Sequence, residues 1–285
     1  MKFNQSEVNL HTHSYYCGHG AGELSDFADV AKQHGNLKVL GFSEHCPVPY
    51  DDVPSRMPIV DLQDYIDDVY ALQKANDGMI YLLGAECDWI DRYVSFYKDY
   101  IMGKKNFDYV IGAVHMLKDH DTGEIQYIPH MKSFDLNDLK LYAKWYIEML
   151  ESGFFDVGCH PDLFFGGYKK WDAEAIAVSK DIIACAKANN RVLEVNDLGL
   201  RKKKIETSLG LKHQYTIAEF WELAADSGVR ICTNTDAHTP DVVCGIPNGD
   251  YLNDSYKFAA ELGIKFVDWD VSFSDELNRY VVKPL

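Results

Sequence analysis

Seven short apolar runs, each ending in or carrying a histidine, aspartate or glutamate, constrain this chain more than any other feature. They are EVNLHTH, KVLGFSEH, IYLLGAECD, DYVIGAVH, FDVGCHPD, RVLEVND and VRICTNTDAH. Each opens with β-branched or aliphatic residues, as a buried strand does. Helical stretches fit between them. Ser25 is placed to cap a helix through DFADVAKQHG, with Gly35 just past its end. Leu62, Ile66, Val69 and Leu72 repeat at helical spacing after Asp61, and Leu139, Tyr142, Tyr146 and Leu150 do so further on. Asp172 precedes AEAIAVSKDIIACAKANN, and Thr216 with Glu219 reads as a capping box before FWELAADSG. SYKFAAELG is a last short helix, with Gly263 at its end.

Strands alternating with helices pair in parallel. In a closed parallel sheet the strand C-termini converge on one face, whereas an open doubly wound sheet sets them along a line. IKFVDW is a weak candidate for an eighth strand. The expected fold is therefore α/β, a distorted seven-stranded (β/α)7 TIM-like barrel, with 1–285 as a single domain.

Composition agrees with a folded core, because 47% of residues are hydrophobic and 25% charged. The polar start MKFNQSEVNL and the lack of a long apolar run predict neither a signal peptide nor a membrane span. The seven cysteines are scattered and odd in number, which predicts reduced thiols and a cytoplasmic location. The formal net charge of −16 makes nucleic acid and anionic membranes poor partners. A phosphate-bearing small molecule would need a local positive site, which bound metal ions can supply.

The polar strand ends form a candidate constellation: His11, His13, His45, Glu86, His115, His160, Asp236 and His238, with His19 in the loop after the first strand. His11 and His13 are two apart and share a strand face, and Asp236 and His238 repeat the spacing. A single strand-end histidine is ordinarily a hydrogen-bonded structural residue. Independent structural roles would not concentrate such residues at successive strand ends. Imidazole and carboxylate donors suit zinc, manganese or iron. So many donors exceed one four-coordinate ion and imply two or three divalent ions, with Glu86 able to bridge.

Other residues divide by the same tests. Cys46, Cys87 and Cys159 neighbour proposed ligands and should point to the opposite face as packing residues. Cys17 lies in a loop and stays open. His34, His120 and His130 fall outside the constellation. Arg201 follows EVNDLGL at a strand end, where its guanidinium can reach phosphate oxygens. Arg56 can cap the pocket from its loop, and His213 stays open between a loop residue and a substrate contact. Lys202, Lys203 and Lys204 read as solvent-facing. Glu194 and Asn196 share a face and can orient ligands or substrate. Asp236 and His238 sit at the cluster and are candidates for catalytic proton transfer.

The segments HTH, GFSEH, GAECD, GAVH, CHPDL and NTDAH, in this order, resemble the PHP (polymerase and histidinol phosphatase) metallophosphoesterases over about residues 8 to 245. GFSEHCPVP with SRM, and EVNDLGLRK before NTDAH, look most like the histidinol-phosphate phosphatase branch. The resemblance implies a distorted seven-stranded barrel and a trinuclear metal site. One ion would take His11, His13, Glu86 and Asp236; a second Glu86, His115 and His160; a third His19, His45 and His238. His213 and Tyr215 would correspond to an Arg/His-x-Tyr-Pro pattern in which Thr216 replaces the proline. The implied reaction is hydrolysis of L-histidinol phosphate by a metal-bridging hydroxide. The alternatives are another small phosphomonoester, a metal-dependent amidohydrolase (whose usual strand-end lysine is lacking) and a non-catalytic metal module.

Overall fold

The computed structural model describes residues 1–33, 36–49, 55–118, 125–131, 134–244 and 254–285. The expected runs form one seven-stranded sheet: β1 (Val8–Asn9), β2 (Val39–Phe42), β3 (Ile80–Asp88), β4 (Tyr109–Ala113), β5 (Val157–Gly158), β6 (Val192–Asn196) and β7 (Arg230–Asn234). Neighbours follow chain order and every pairing is parallel. The last gap, between β7 and β1, carries no ladder. It is spanned by a single bridge between Thr12 and Ala237, by the His13 amide donating to the Ala237 carbonyl at 2.8 Å, and by the Leu10 amide donating to Asn234 Oδ1 at 2.7 Å. The barrel is nearly closed, and its distortion is concentrated there.

Alternation along the strands separates two apolar layers. On β3, Tyr81, Leu83, Ala85 and Cys87 face the larger core beneath the helices, with Phe27, Tyr65, Ile66 and Leu139. Leu82 faces inward with Val8, Leu10, Val39, Ile111, Val192 and Cys232. Glu86 and Asp88 continue the inward parity at the strand's C-terminal end.

The helices Leu62–Ala75, Leu136–Glu151, Ala173–Ala188 and Asp254–Glu261 fall where apolar spacing and caps place them. Asp172 caps the third, accepting from the amides of Glu174 and Ala175. Two caps differ. Ser25 lies inside the helix Leu24–Gln33, and Gly35 and His34 lie outside the described residues. Thr216 does not cap the helix Ala218–Ser227. Its backbone is left-handed at φ +60°, its hydroxyl donates to the Asn196 carbonyl, and Glu219 instead pairs with Lys212. A π-helical segment, Phe96–Lys104, links β3 to β4.

IKFVDW does not supply an eighth barrel strand. Its Trp269 opens a hairpin, Trp269–Ser274 with Arg279–Pro284, that pairs antiparallel with Lys2–Phe3. Trp269, Val271 and Val282 join the inward-facing cluster and close the barrel at the N-terminal strand ends. The indole N–H donates to Gln5 Oε1 at 2.9 Å, so the plug satisfies its polar group as it buries its ring. Among the described residues no helix is long and apolar enough to cross a membrane.

Tyr109 fills the barrel between plug and polar end, its hydroxyl donating to the Leu10 carbonyl at 2.7 Å. Two glycines make room for it: a Cβ on Gly41 or Gly84 would stand 2.2 Å from the phenol. Gly84→Ala should therefore overpack the interior and destabilise the fold by about 1–3 kcal/mol. Thermal unfolding checks this; an unchanged Tm would mean that the phenol can move aside.

Candidate metal centre

Glu86 stands at the centre of the polar end. Its buried carboxylate lies 2.8 Å from His45 Nδ1, 3.0 Å from His160 Nε2, 3.3 Å from His115 Nε2, 3.4 Å from His13 Nε2 and 3.5 Å from His11 Nε2. Asp236 lies 3.2 Å from His13 Nε2 and 3.6 Å from His11 Nε2. His19 and His238 approach each other at 2.9 Å between their Nε2 atoms. Donor atoms of His19, His45 and His238 form one tight group, and those of His11, His13 and Asp236 form another. The structure thus brings together all the residues expected as ligands.

Local backbone explains how they converge. The ladder is interrupted at Leu10 and His11, so Leu10 stays in the apolar interior while His11 and His13 also turn inward. His160 and Asp236 sit at φ +32° and +47°, an uncommon region for side chains with a Cβ, which turns each away from regular strand geometry.

Hydrogen bonding fixes the direction of the rings. His11 Nδ1 meets Glu194 at 2.9 Å, His115 Nδ1 meets Asp88 at 3.0 Å, His19 Nδ1 meets the Cys17 carbonyl at 3.2 Å, and His238 Nδ1 meets the Asp236 carbonyl at 3.1 Å. Each acceptor requires N–H at Nδ1, so in the neutral ring Nε2 presents a lone pair to the cluster. Two such lone pairs face each other between His19 and His238, a repulsion that a bound cation relieves. Within the cluster His11 Nε2, both ring nitrogens of His13, Glu86 Oε2 and Asp236 Oδ1 are buried without a hydrogen bond. Orphaned donors of this kind fit divalent metal ions.

Protonation agrees. Burial, reinforced by His238, takes His13 down to about 3 and His19 down to about 4, so both rings are neutral near pH 7. Burial opposes ionisation of Glu86, but His115, His11 and His45 outweigh it and hold the carboxyl well below its usual range. Asp236 is depressed in the same way by His11, His13 and His238. His11 goes the other way: burial opposes its charge, but Glu194, Asp236 and Glu86 prevail and raise it, and a cation at Nε2 would replace that proton.

A cavity of about 640 Å³ opens over the cluster. Arg56 lines it as expected, ion-paired with Asp88. Arg201 does not. Its Nε is 3.0 Å from Asp197, and its Nη2 donates to the Thr235 carbonyl. His213 is half-buried and is also not among the lining residues. Lys202 and His130, read from sequence as outside the site, do line the cavity, as do Tyr127 and Tyr215. His120 lies outside the described residues. Cys46 and Cys87 pack in the outer core. Cys159 departs from the opposite-face expectation: it lies inward, its thiol donating to the Gly112 carbonyl at 3.0 Å and standing 3.6 Å from Glu86. The Cys17 sulfur is buried and accepts from the Gly20 amide.

Two supporting carboxylates were missed. Asp88 accepts from the His115 amide and ring, and its i+2 relation to Glu86 was the available signal. Glu44 accepts from the Ser14 amide at 2.7 Å, and burial pushes it up to about 7.

The sequence pattern of the PHP domain matches residues 9–198. The chain belongs to the PHP family. A probable histidinol-phosphatase of Deinococcus radiodurans is 30% identical over 240 residues, which cover 82% of this PHP chain and 86% of that protein. Another, from Schizosaccharomyces pombe, is 24% identical over 269 residues, 83% of this chain and 82% of that one. The crystal structure of histidinol phosphate phosphatase from Lactococcus lactis, complexed with zinc, L-histidinol and phosphate, superposes with a TM-score of 0.69 at 18% identity, covering 94% of this chain and 97% of that one. This likeness establishes the PHP barrel fold.

Glu194 orders the centre without lying in the cavity. It accepts from His11, from Asn196 at 3.0 Å and from Asn234 at 2.8 Å. Glu194→Gln would place an amide N–H against one of these donors. Metal affinity should fall about 10–100-fold. Competition with a chelator measures it, and wild-type affinity would remove Glu194 from this role.

Proposed function

We propose that this PHP-family chain is a metal-dependent phosphomonoesterase whose substrate is L-histidinol phosphate. The observation that carries this reading is a buried carboxylate surrounded by five imidazoles at the floor of a cavity that also holds basic side chains. Sequence likeness to proteins named as probable histidinol-phosphatases supports the choice of substrate.

Three ions would be held. His11, His13, Glu86 and Asp236 would take one; Glu86, His115 and His160 a second; His19, His45 and His238 a third. The groupings of His11, His13 and Asp236 and of His19, His45 and His238 support the first and third sets, the Glu86 contacts with His115 and His160 support the second, and His13, His45 and Glu86 also group, so the sets adjoin. Bound divalent ions supply Lewis acidity there: they bring water toward ionisation near neutral pH and neutralise phosphate oxygens.

The protein's own groups would do the rest. Glu194 and Asp88 hold ring tautomers, so that lone pairs face inward. Arg56, fixed by Asp88 beside His115, offers directed N–H donors at the cavity wall. Asp236 and His238 reach the cavity from the end of β7, where they would hold ions beside the departing alcohol. Leu163, Leu198 and Tyr215 give that alcohol an apolar wall.

Metal-loaded protein should release phosphate from histidinol phosphate far faster than from an aryl phosphate. Equal, slow release from both would remove the specific substrate and keep the broader activity. Replacing His19 by alanine should deplete one ion while the site on His11 and His13 keeps its own; elemental analysis that finds every ion lost would overturn the division.

A further inference from the structure

A phosphomonoester brings a dianion to a chain that is itself strongly acidic. Beyond the ions, a positive charge of the protein's own would strengthen its capture. The strand-end motif nominates Arg201, but the structure engages it elsewhere. Its guanidinium joins the buried carboxylate of Asp197 to the Thr235 carbonyl, and Asp197 also accepts from the Ser255 amide at 3.0 Å. Arg201 thus ties the chain after β6 to the end of β7.

The next residue faces the other way. The short helix Asp197–Arg201 ends at Lys202, whose backbone is extended at φ −72° and ψ +154°. That change of direction sends the Lys202 side chain into the cavity. Its ammonium lies 5.6 Å from the centre of the Tyr215 ring. Tyr215 is buried, packs 5.8 Å from the His160 ring, and is pinned from behind by Gly199, where a Cβ would stand 2.6 Å from it. The lysine therefore has a fixed platform beside the ligand cluster.

Charge separates the two basic residues of the cavity. Arg56 is matched by Asp88, so the pair adds directed donors and little net charge. Among the described residues Lys202 has no carboxylate partner within ion-pair distance. Burial lowers its pKa from the usual lysine range, with Asp236 opposing the shift. An uncompensated ammonium in a partly desolvated cavity attracts an anion more strongly than one at an open surface.

We propose that Lys202 is the phosphate-anchoring residue of this site, its ammonium on the Tyr215 platform taking an oxygen of the phosphoryl group while Arg56 approaches from the β3 side. The proposal rests on the phosphatase reading and names a contact within it. A purely structural lysine, packed on Tyr215 for its stem alone, would leave anion binding untouched.

Binding of inorganic phosphate to the metal-loaded protein, followed by calorimetry, separates the two. Lys202→Met keeps the stem and removes the charge. Its Kd for phosphate should rise about tenfold or more, as expected for a lost charge-assisted hydrogen bond. Lys202→Arg should recover part of the loss, and metal content should match wild type in both. In turnover the loss should fall on KM more than on kcat. Arg201→Gln should instead lower Tm and leave the Kd for phosphate as it was. Wild-type phosphate affinity in Lys202→Met overturns the proposal, and so does a loss that appears only in Arg201→Gln. A wild type that binds phosphate in a Lys202-dependent way but hydrolyses no phosphomonoester overturns the phosphatase reading and leaves the anchor standing.

Discussion

A single buried carboxylate, that of Glu86, sets the terms for the rest of this structure. It lies at the end of β3 within 3.5 Å of five imidazoles. An ionised carboxylate enclosed by protein is strongly unfavourable unless positive charge meets it. The fold meets that need from around the barrel, with charge on His11 and, from neutral rings such as His13 and His45, lone pairs that can hold cations against the carboxylate. His45 comes from the end of β2, His115 from β4, His160 from β5, and His11 and His13 from β1. No pair of neighbouring strands could deliver such a set. Near closure of the sheet is therefore a condition for the site as well as a feature of the fold.

The same strand shows how stability and chemistry are kept apart. Inward parity on β3 carries Leu82, Gly84, Glu86 and Asp88 in succession, from plug to cavity. The lower barrel is apolar and is sealed by Trp269, Val271 and Val282. Tyr109 fills the middle, and its phenol occupies the space that Gly41 and Gly84 leave. Above it the inward groups include the buried polar side chains Glu86, Asp88, Glu194 and Asn196. Water reaches the cluster from the cavity side, and the hairpin seals the opposite end of the barrel.

Much of this was legible because strand periodicity is local. Apolar runs bounded by polar ends give seven strands, their parallel pairing and eight of the converging residues from the chain alone, with His19 in the loop after the first. What was not legible depends on backbone direction over one or two residues. Alternation predicts that Cys159 and His160 point to opposite faces, yet φ +32° at His160 brings both near Glu86. The interrupted ladder at Leu10 and His11 likewise lets consecutive residues face inward. Arg201 and Lys202 exchange their expected places because a short helix ends between them. Thr216 reads as a cap on residue type, but its hydroxyl is drawn to the Asn196 carbonyl by tertiary packing. The terminal hairpin escaped notice because its partner, Lys2–Phe3, lies at the other end of the chain.

The net charge of −16 belongs to the whole chain, and it says little about the cavity. Carboxylates near the centre are each matched by a specific group. Glu86 and Asp236 face imidazoles, Glu194 accepts from His11 and two asparagine amides, and Asp88 holds Arg56 and His115. Asp197, a turn further out, holds Arg201. The charge pairs of Arg56 with Asp88 and of Arg201 with Asp197 nearly cancel at a distance, so the local potential depends on what is left unmatched. At the cluster these are carboxylates and imidazole lone pairs, which call for cations. On the wall it is the Lys202 ammonium, which calls for an anion. An acidic protein can in this way present a positive site to a phosphate: its carboxylates organise the cations that the substrate meets.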